Sequence, residues 1–297
     1  MNLPTIKQLR YFVALEKHKH FGNAAKSCFV SQSAFSVAIK ELESQLGARL
    51  IDRTNKSVTI TRTGREIANH ARHCLRDLEY LAEVAHSDQK PLTGRLNLGI
   101  IPTIAPFILP KLLPKLRKQY PDLKLYLRED TTQSSHTSLI EGELDLILIA
   151  LPYKLSNVEI MPLFKDHFSL ACHKNTKLLN PKKYSLANLP KESVLLLEDG
   201  HCLRDHALSA CKIRNQDTVS RFAASSLLTL VSMVDSDIGI TYLTEMAKNS
   251  SLLQNTDIKT YPLNKKSYRE IGLAWRKGSA REAEFRLLGE TVCKIKA

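Results

Sequence analysis

No run of eighteen apolar residues occurs in the 297-residue chain. A transmembrane helix, which needs about 20 such residues, is therefore excluded. The opening stretch, Met1 to Arg10, has no apolar centre of the kind a secretory signal carries, so the expected location is the cytoplasm. Cysteine is sparse. Its six positions, 28, 74, 172, 202, 211 and 293, show no C-x2-C zinc spacing, and neither a metal nor a cofactor is expected. In a reducing compartment such thiols stay reduced, and a disulfide there acts as a sensor more often than as a staple. Negative charge is also in deficit: 43 Lys and Arg against 30 Asp and Glu leave +13. That balance favours an anionic partner, nucleic acid first. It is no basic tail, because residues 1–90 carry 14 basic against 9 acidic residues and the other 207 carry 29 against 21. The length suits two or three domains.

The first ninety residues read as helices. Residues 6–19 carry an apolar stripe of Leu9, Phe12, Val13 and Leu15, and a short helix over 21–30 packs through Ala24, Ala25 and Cys28. After a break at Ser31-Gln-Ser33, a third helix sets Phe35, Ile39, Leu42 and Leu46 on one face. Two short helices joined by a tight turn, the second amphipathic, form a helix-turn-helix pattern. Ser31, Gln32, Ser33, Ser36, Val37 and Lys40 then lie on the exposed start of the second helix, able to reach base edges or phosphates in a major groove. Residues 50–61 alternate like a hairpin with Asn55-Lys56 near its tip, a wing whose Arg53, Lys56 and Arg62 would neutralise phosphates. The plainer reading is a protein-binding helical module with an ordinary charged surface.

From Gly64 to Ser87 no helix breaker intervenes, and Ile67, Ala71, Cys74, Leu78, Leu81 and Ala85 recur at a 3.5 period. That is a coiled-coil seam and implies a homodimer, with Cys74 packed on it. Residues 87–94 read as a linker. Beyond it, strands at 96–101, 123–128, 144–150, 168–172, 193–197, 238–243 and 271–275 alternate with helices, among them 134–142 and 225–235. The pattern predicts two α/β lobes built on parallel sheets, with a ligand cleft at strand C-termini and helix N-termini.

Cys202 and Cys211 lie nine residues apart in a helix-forming run. On one helix that step is about 13.5 Å of rise and two and a half turns, whereas a disulfide needs Cα atoms within about 7 Å. The pair bonds only if the segment abandons its helix, which would make it an oxidation-driven switch. The alternative is two unrelated thiols, one buried and one exposed.

The residues Leu9, Phe12, Phe21, Ala24-Ala25, Val30-Ser-Gln32, Ile39, Leu42-Glu43, Leu46-Gly47, Leu50, Arg53 and Thr61-Arg-Thr-Gly64 together resemble the LysR-type transcription regulators. The resemblance spans essentially the whole chain. Within that family, Ile101-Pro-Thr103 and Leu197-Glu-Asp-Gly-His-Cys-Leu-Arg-Asp205, with Cys211 following, look like the OxyR-type peroxide sensors. The resemblance implies an N-terminal all-α winged helix-turn-helix (1–63), a dimerising linker helix and hinge (64–94), and a two-lobed, periplasmic-binding-protein-like α/β effector domain (95–297). Its lobes would be 95–164 with 269–297, and 165–268. It implies a peroxidatic Cys202, oxidised to a sulfenic acid, and a resolving Cys211. It also implies peroxide-positioning roles for Thr103, Thr132, His201, Arg204, Asp205 and Arg269, and partners comprising operator DNA, a second chain or a homotetramer, and RNA polymerase.

The chemistry of the segment agrees: Arg204 and a helix N-terminus near Gly200-His201 are expected to favour the Cys202 thiolate, and threonine hydroxyls suit peroxide oxygens. For His201 and Asp205 the structural alternatives are a helix cap and an ion-pair partner of Arg204. Cys28, Cys172 and Cys293 fall at apolar positions and are assigned to packing. Two positions depart from the family pattern: Ser33 stands where proline is common, and Asp237-Ile238 replace small residues before a strand. The leading expectation is a peroxide-sensing regulator rather than an enzyme. The alternatives are a LysR-type regulator answering to a metabolite in the inter-lobe cleft, and a thiol peroxidase, for which a winged head has no use.

Overall fold

The computed structural model describes residues 3–53, 58–86, 91–181, 189–211, 213, 216–263 and 265–296. Its two compact units are built mainly from the first ninety residues and from the remainder.

In the first unit, Thr5 and Gln8 form a reciprocal capping box that starts α1 (Ile6–His18). The buried face of α1 is Gln8, Tyr11, Phe12 and Leu15, so Tyr11 takes the place predicted for Val13, which is half-buried. Helix α2 (Phe21–Ser27) buries Ala24 and Ala25. The turn after it passes through Phe29 at φ 58°, a left-handed residue that lets the chain reverse at once. Ser31 is not a break but the N-cap of α3 (Gln32–Leu46), accepting from Ala34 N–H, and Gly47 at φ 61° ends that helix. Glu43 then accepts from the amides of Leu50 and Ile51 at 2.8 and 3.1 Å. That fixes where β1 (Ile51–Arg53) starts and pairs antiparallel with β2 (Val58–Ile60). Phe12, Leu15, Phe35, Ile39, Leu42 and Leu50 fill the core.

Helix α4 (Arg62–His86) begins two residues earlier than expected, so Arg62 lies on it rather than on the hairpin, exposed and paired with Glu66. The predicted seam divides. Ile67, Ala68 and Ala71 turn inward, with the Arg72–Glu16 ion pair beside them. Cys74, Leu78 and Leu81 remain exposed, Leu81 at 65%.

The second unit contains β3 (Gly94–Ile100), α5 (Ala105–Gln119), β4 (Leu123–Glu129), α6 (Thr132–Ile140), β5 (Leu146–Leu151) and β6 (Val158–His173). It continues through β7 (Val194–Leu197), α7 (Cys202–Ala210), β8 (Val219–Ala224), α8 (Leu227–Asp235), β9 (Thr241–Thr244) and α9 (Glu245–Lys248). Strands β10 (Ile258–Pro262) and β11 (Tyr268–Arg276) and helix α10 (Glu282–Lys296) complete it. Its main sheet is mixed, a correction to the parallel sheets expected. The order is β10-β6-β11-β5-β3-β4 with β9 also on β6, and only β3, β4 and β5 run parallel. A separate parallel pair joins β7 and β8.

The cause of the mixing is β6. Its sixteen residues pair antiparallel with β11 along the first half and with β10 and β9 along the second. One strand thus carries the chain from one core to another. The first core gathers Leu98, Ile147, Ile149, Leu273, Trp275 and Phe285, and the second gathers Leu170, Leu195, Val234, Tyr242 and Leu243. Cys172 is buried in the second core, as expected of a packing residue, whereas Cys28 and Cys293 are half-buried. At the departure from the family pattern, Asp237 adopts φ 54° and Ile238 is exposed.

Gly64 packs so closely under the Leu50 carbonyl that an added Cβ would overlap it. Gly64→Ala is expected to destabilise the first unit by about 1–3 kcal/mol. It should abolish DNA binding while the thermal unfolding of the second unit is unchanged, measured by gel shift and calorimetry on one preparation.

Candidate functional site

All six cysteines are free thiols. Cys202 opens α7 and is 7% exposed, yet its side chain packs with the first core, while Leu203, Ala207 and Cys211 of the same segment pack into the second. Cys211 is 1% exposed and closes the helix, its amide bonded to the Ala207 carbonyl at 3.0 Å. One helix therefore keeps the two thiols in different cores, and both are buried rather than one buried and one exposed.

A small recess is lined by Cys202, His201, Thr103 and Thr132 with Ile101 and Pro102. Thr103 sits in the turn between β3 and α5, closed by Ile104 N–H on the Ile101 carbonyl at 2.9 Å. Thr132 is the first residue of α6, two residues before the start expected. Asp130 accepts from the Thr131 amide at 2.8 Å and the Ser134 hydroxyl at 2.6 Å, and Thr131 Oγ1 accepts from the Ser134 amide. These bonds, Ser134 foremost, hold the Asp130 carboxyl below its ordinary pKa and brace the turn that presents Thr132.

Arg269 on β11 and Asp166 on β6 form an ion pair at 3.0 Å, both side chains 0% exposed. Two further guanidinium nitrogens donate to the Thr103 hydroxyl at 2.9 Å and the Thr103 carbonyl at 2.8 Å. Because the Thr103 oxygen already accepts from Arg269, its own O–H is left to donate elsewhere. The Thr132 hydroxyl is buried and acts on the Cys202 thiol.

Burial pushes the Cys202 thiol above its ordinary pKa; the Arg269 cation and the Thr132 hydroxyl oppose that rise, and Asp205 adds to it. Two expectations are thereby corrected. Cys202 is not held as a thiolate, and the cation acting on it is Arg269, not Arg204. Arg204 pairs with Asp199 at 2.9 Å and reaches the Leu197 carbonyl, bracing the turn between β7 and α7. Asp205, whose structural alternative was that ion pair, is exposed. His201 occupies the N-cap position of α7 without a side-chain capping bond.

Sequence reasoning missed three residues. Asp166 lies 103 residues from Arg269, with no pattern to link them. Tyr153 has its phenol pushed up by burial and by the charges of Cys202 and Asp205, which places it near both. His206, one turn after Cys202, is buried and bonded to the Pro152 carbonyl at 3.0 Å. Only its spacing from Cys202 could have signalled it.

On the helix-turn-helix face, Ser31, Gln32, Ser33, Val37 and Lys40 are exposed and Ser36 is half-buried. The Ser31 and Ser33 hydroxyls lie 3.1 Å apart. Phe29, which was not expected there, stands 96% exposed beside them. The Arg53 side chain and the whole of Lys56 lie outside the described residues. None of the described helices is long and apolar enough to cross a membrane.

Residues 6–65 match the family model described as "Bacterial regulatory helix-turn-helix protein, lysR family", and residues 89–293 match "LysR substrate binding domain". The chain belongs to the LysR family of transcriptional regulators. It is a DNA-binding regulator with an N-terminal helix-turn-helix domain and a two-lobed α/β domain. Its relatives include the HTH-type transcriptional regulator EstR of Acinetobacter baylyi, 39% identical over 99% of this chain and 98% of that one. The dual regulator OxyR of Escherichia coli is 36% identical over 97% and 94%. Among solved structures, a full-length OxyR variant from Pseudomonas aeruginosa superposes with a TM-score of 0.77 at 32% identity, covering 98% of both chains. The reduced regulatory domain of OxyR2 from Vibrio vulnificus gives 0.66 at 38% identity over 70% of this chain and 99% of that one. These relatives are transcriptional regulators, a class distinct from enzymes.

Two outcomes follow from the buried charges and thiols. Asp166→Asn strands the Arg269 cation and is expected to cost about 3–5 kcal/mol in urea unfolding of the reduced protein. Burial pushes the Cys211 thiol up to about 12. Its contribution to stability is therefore whole below the ordinary thiol value near 9 and is lost as pH climbs from there towards 12, because the unfolded thiol ionises first. Stability plotted against pH over that window should fall less steeply in Cys211→Ala than in the wild type.

Proposed function

We propose that this regulator senses hydrogen peroxide through reversible formation of a Cys202–Cys211 disulfide. The observation that carries the reading is a reduced Cys202 on a small recess that it shares with Thr103 and Thr132, backed by Arg269. Similarity to OxyR proteins supports it.

In the first step the Cys202 sulfur attacks one peroxide oxygen, the O–O bond breaks, and the departing hydroxide takes a proton to become water. Sulfur is oxidised to sulfenic acid and the peroxide is reduced. Thr103, Thr132 and His201 position the two oxygens, and Arg269 stabilises the charge that develops on the departing one. Arg204 and Asp205 act on the segment rather than on the peroxide. In the second step the Cys211 thiol displaces the sulfenic oxygen as water and forms the disulfide. The thiols must come within bonding reach, so α7 unwinds and releases the Ser267 hydroxyl from the Ala210 carbonyl, 3.0 Å in the reduced form, and His206 from Pro152.

The rearranged domain (95–297) alters its contacts with a second chain. Residues 64–94 pair the two heads, residues 1–63 read the operator, and a homotetramer on DNA engages RNA polymerase in the cytoplasm. Base and phosphate contacts come from Ser31, Gln32, Ser33, Ser36, Val37 and Lys40, with Arg53, Lys56 and Arg62 on the backbone. A metabolite-responsive regulator is the second reading, favoured by the match to EstR, whose name carries no reference to peroxide.

The decisive experiment is thiol mass mapping before and after a brief peroxide pulse, with promoter output in parallel. A Cys202–Cys211 linkage should appear only after the pulse, and Cys202→Ser should retain operator binding but lose induction entirely. Normal induction in that variant, or promoter occupancy that follows an organic acid and ignores redox state, overturns the reading.

A further inference from the structure

The turn between α2 and α3 carries a side chain that the fold itself does not call for. Val30 N–H bonds the Ala25 carbonyl and Phe29 N–H bonds the Lys26 carbonyl, each at 3.1 Å. That pair of bonds is the Schellman close of a helix, and it puts Phe29 at the left-handed position where glycine or asparagine is usual. Phe29 adopts φ 58° there. A bulky residue in that region strains the backbone. The ring gains nothing from the protein in return, because it is 96% exposed. Phe29 therefore costs stability twice, in backbone strain and in a phenyl ring left in water.

Its position accounts for it. Phe29 lies two residues before Ser31, the N-cap of α3. The start of α3 also packs beside the start of α2: a Cβ added to Gly22 would lie 3.1 Å from the His20 ring and 3.3 Å from Gln32 Oε1. In a DNA-bound helix-turn-helix the start of the second helix meets base edges, while the first helix crosses the backbone. A ring without charge or donor contributes nothing at the phosphates, which leaves the bases. The exposed Gln32, Ser33 and Lys40 can match donors and acceptors there, but the 5-methyl group of thymine needs an apolar partner.

We propose that Phe29 is a specificity-determining residue that packs on the 5-methyl group of a thymine in the major groove, beside the start of α3. The inference rests on DNA binding by this LysR-family chain and is independent of the peroxide reading. The strain at φ 58° is then the means by which the turn presents the ring outward.

The test uses the reduced full-length protein and the duplex it enriches from a random-sequence library, at one fixed salt concentration because phosphate contacts scale with salt. Each thymine of that duplex is replaced singly by deoxyuridine, which lacks only the methyl group. For the wild type, replacement at one position of each half-site should weaken binding roughly fourfold, about the worth of one buried methyl. Phe29→Gly should bind the unmodified duplex roughly tenfold more weakly, bind a scrambled duplex as the wild type does, and show no penalty at that position. A thymine read by Val37, 54% exposed on α3, would keep its penalty in the variant. Phe29→Asn, which also suits the left-handed turn, should behave as Phe29→Gly does. The absence of any thymine whose methyl matters overturns the proposal, as does a penalty that survives unchanged at every position in both variants. An equal loss on the scrambled duplex, or a loss of dimer mass in both variants, assigns the ring another role and overturns it too.

Discussion

The reduced site depends on one buried ion pair. Arg269 and Asp166 are both fully removed from water, and such a pair survives only where every remaining donor and acceptor is satisfied. Here the surplus bonds are what organise the site. The second oxygen of Asp166 accepts from the Met246 amide at 3.1 Å, anchoring the start of α9 in the second lobe. The remaining guanidinium nitrogens pin Thr103 in the first. A single carboxylate–guanidinium unit therefore ties the two strands that join the cores, fixes one wall of the recess, and supplies the positive field acting on Cys202. Neither charge could be removed alone without leaving the other stranded.

Against that fixed frame, α7 is the element that can move. Its first side chain belongs to one core and its last residues to the other. Among the described residues the bonds that hold it are few: His206 to Pro152 across the divide, and Ser267 to the Ala210 carbonyl within the second lobe. A nine-residue helix is also too short to persist on propensity alone and depends on its packing. On the peroxide-sensing proposal the covalent bond between its ends is incompatible with its helical form, so the element has two discrete arrangements and no intermediate one. That is the requirement for a switch that transmits to distant subunit contacts rather than deforming locally.

Legibility followed the range of the interactions. Local signals carried the head: the cap at Ser31, the Phe35-Ile39-Leu42 stripe and Gly47 at the helix end are set by neighbours a few residues away, and the helix-turn-helix was readable from them. Parallel sheets were the wrong inference because β6 looked like an isolated strand at 168–172. Its preceding ten residues alternate weakly, and the antiparallel pairing with β11 is a contact across more than a hundred residues. The cysteine spacing was readable as a geometric conflict, since helix rise is a local property. The electrostatics of Cys202 were not. Arg204 is close in sequence and turned away to Asp199, whereas the cation that matters arrives from β11 with a carboxylate from β6.

The burial of Cys202 bears on selectivity. A thiolate exposed at low pKa would react with any disulfide or electrophile that reached it. Cys202 is instead buried beside a small recess and carries a proton at rest. Only an oxidant small enough to enter, and with two oxygens able to accept from Thr103 and Thr132, would find both the orientation and the leaving-group stabilisation it needs. Reactivity would then be assembled by the substrate rather than stored in the free thiol. On the peroxide-sensing proposal the raised pKa, which runs against the expectation of a pre-ionised cysteine, would keep the regulator silent towards bulkier thiol chemistry.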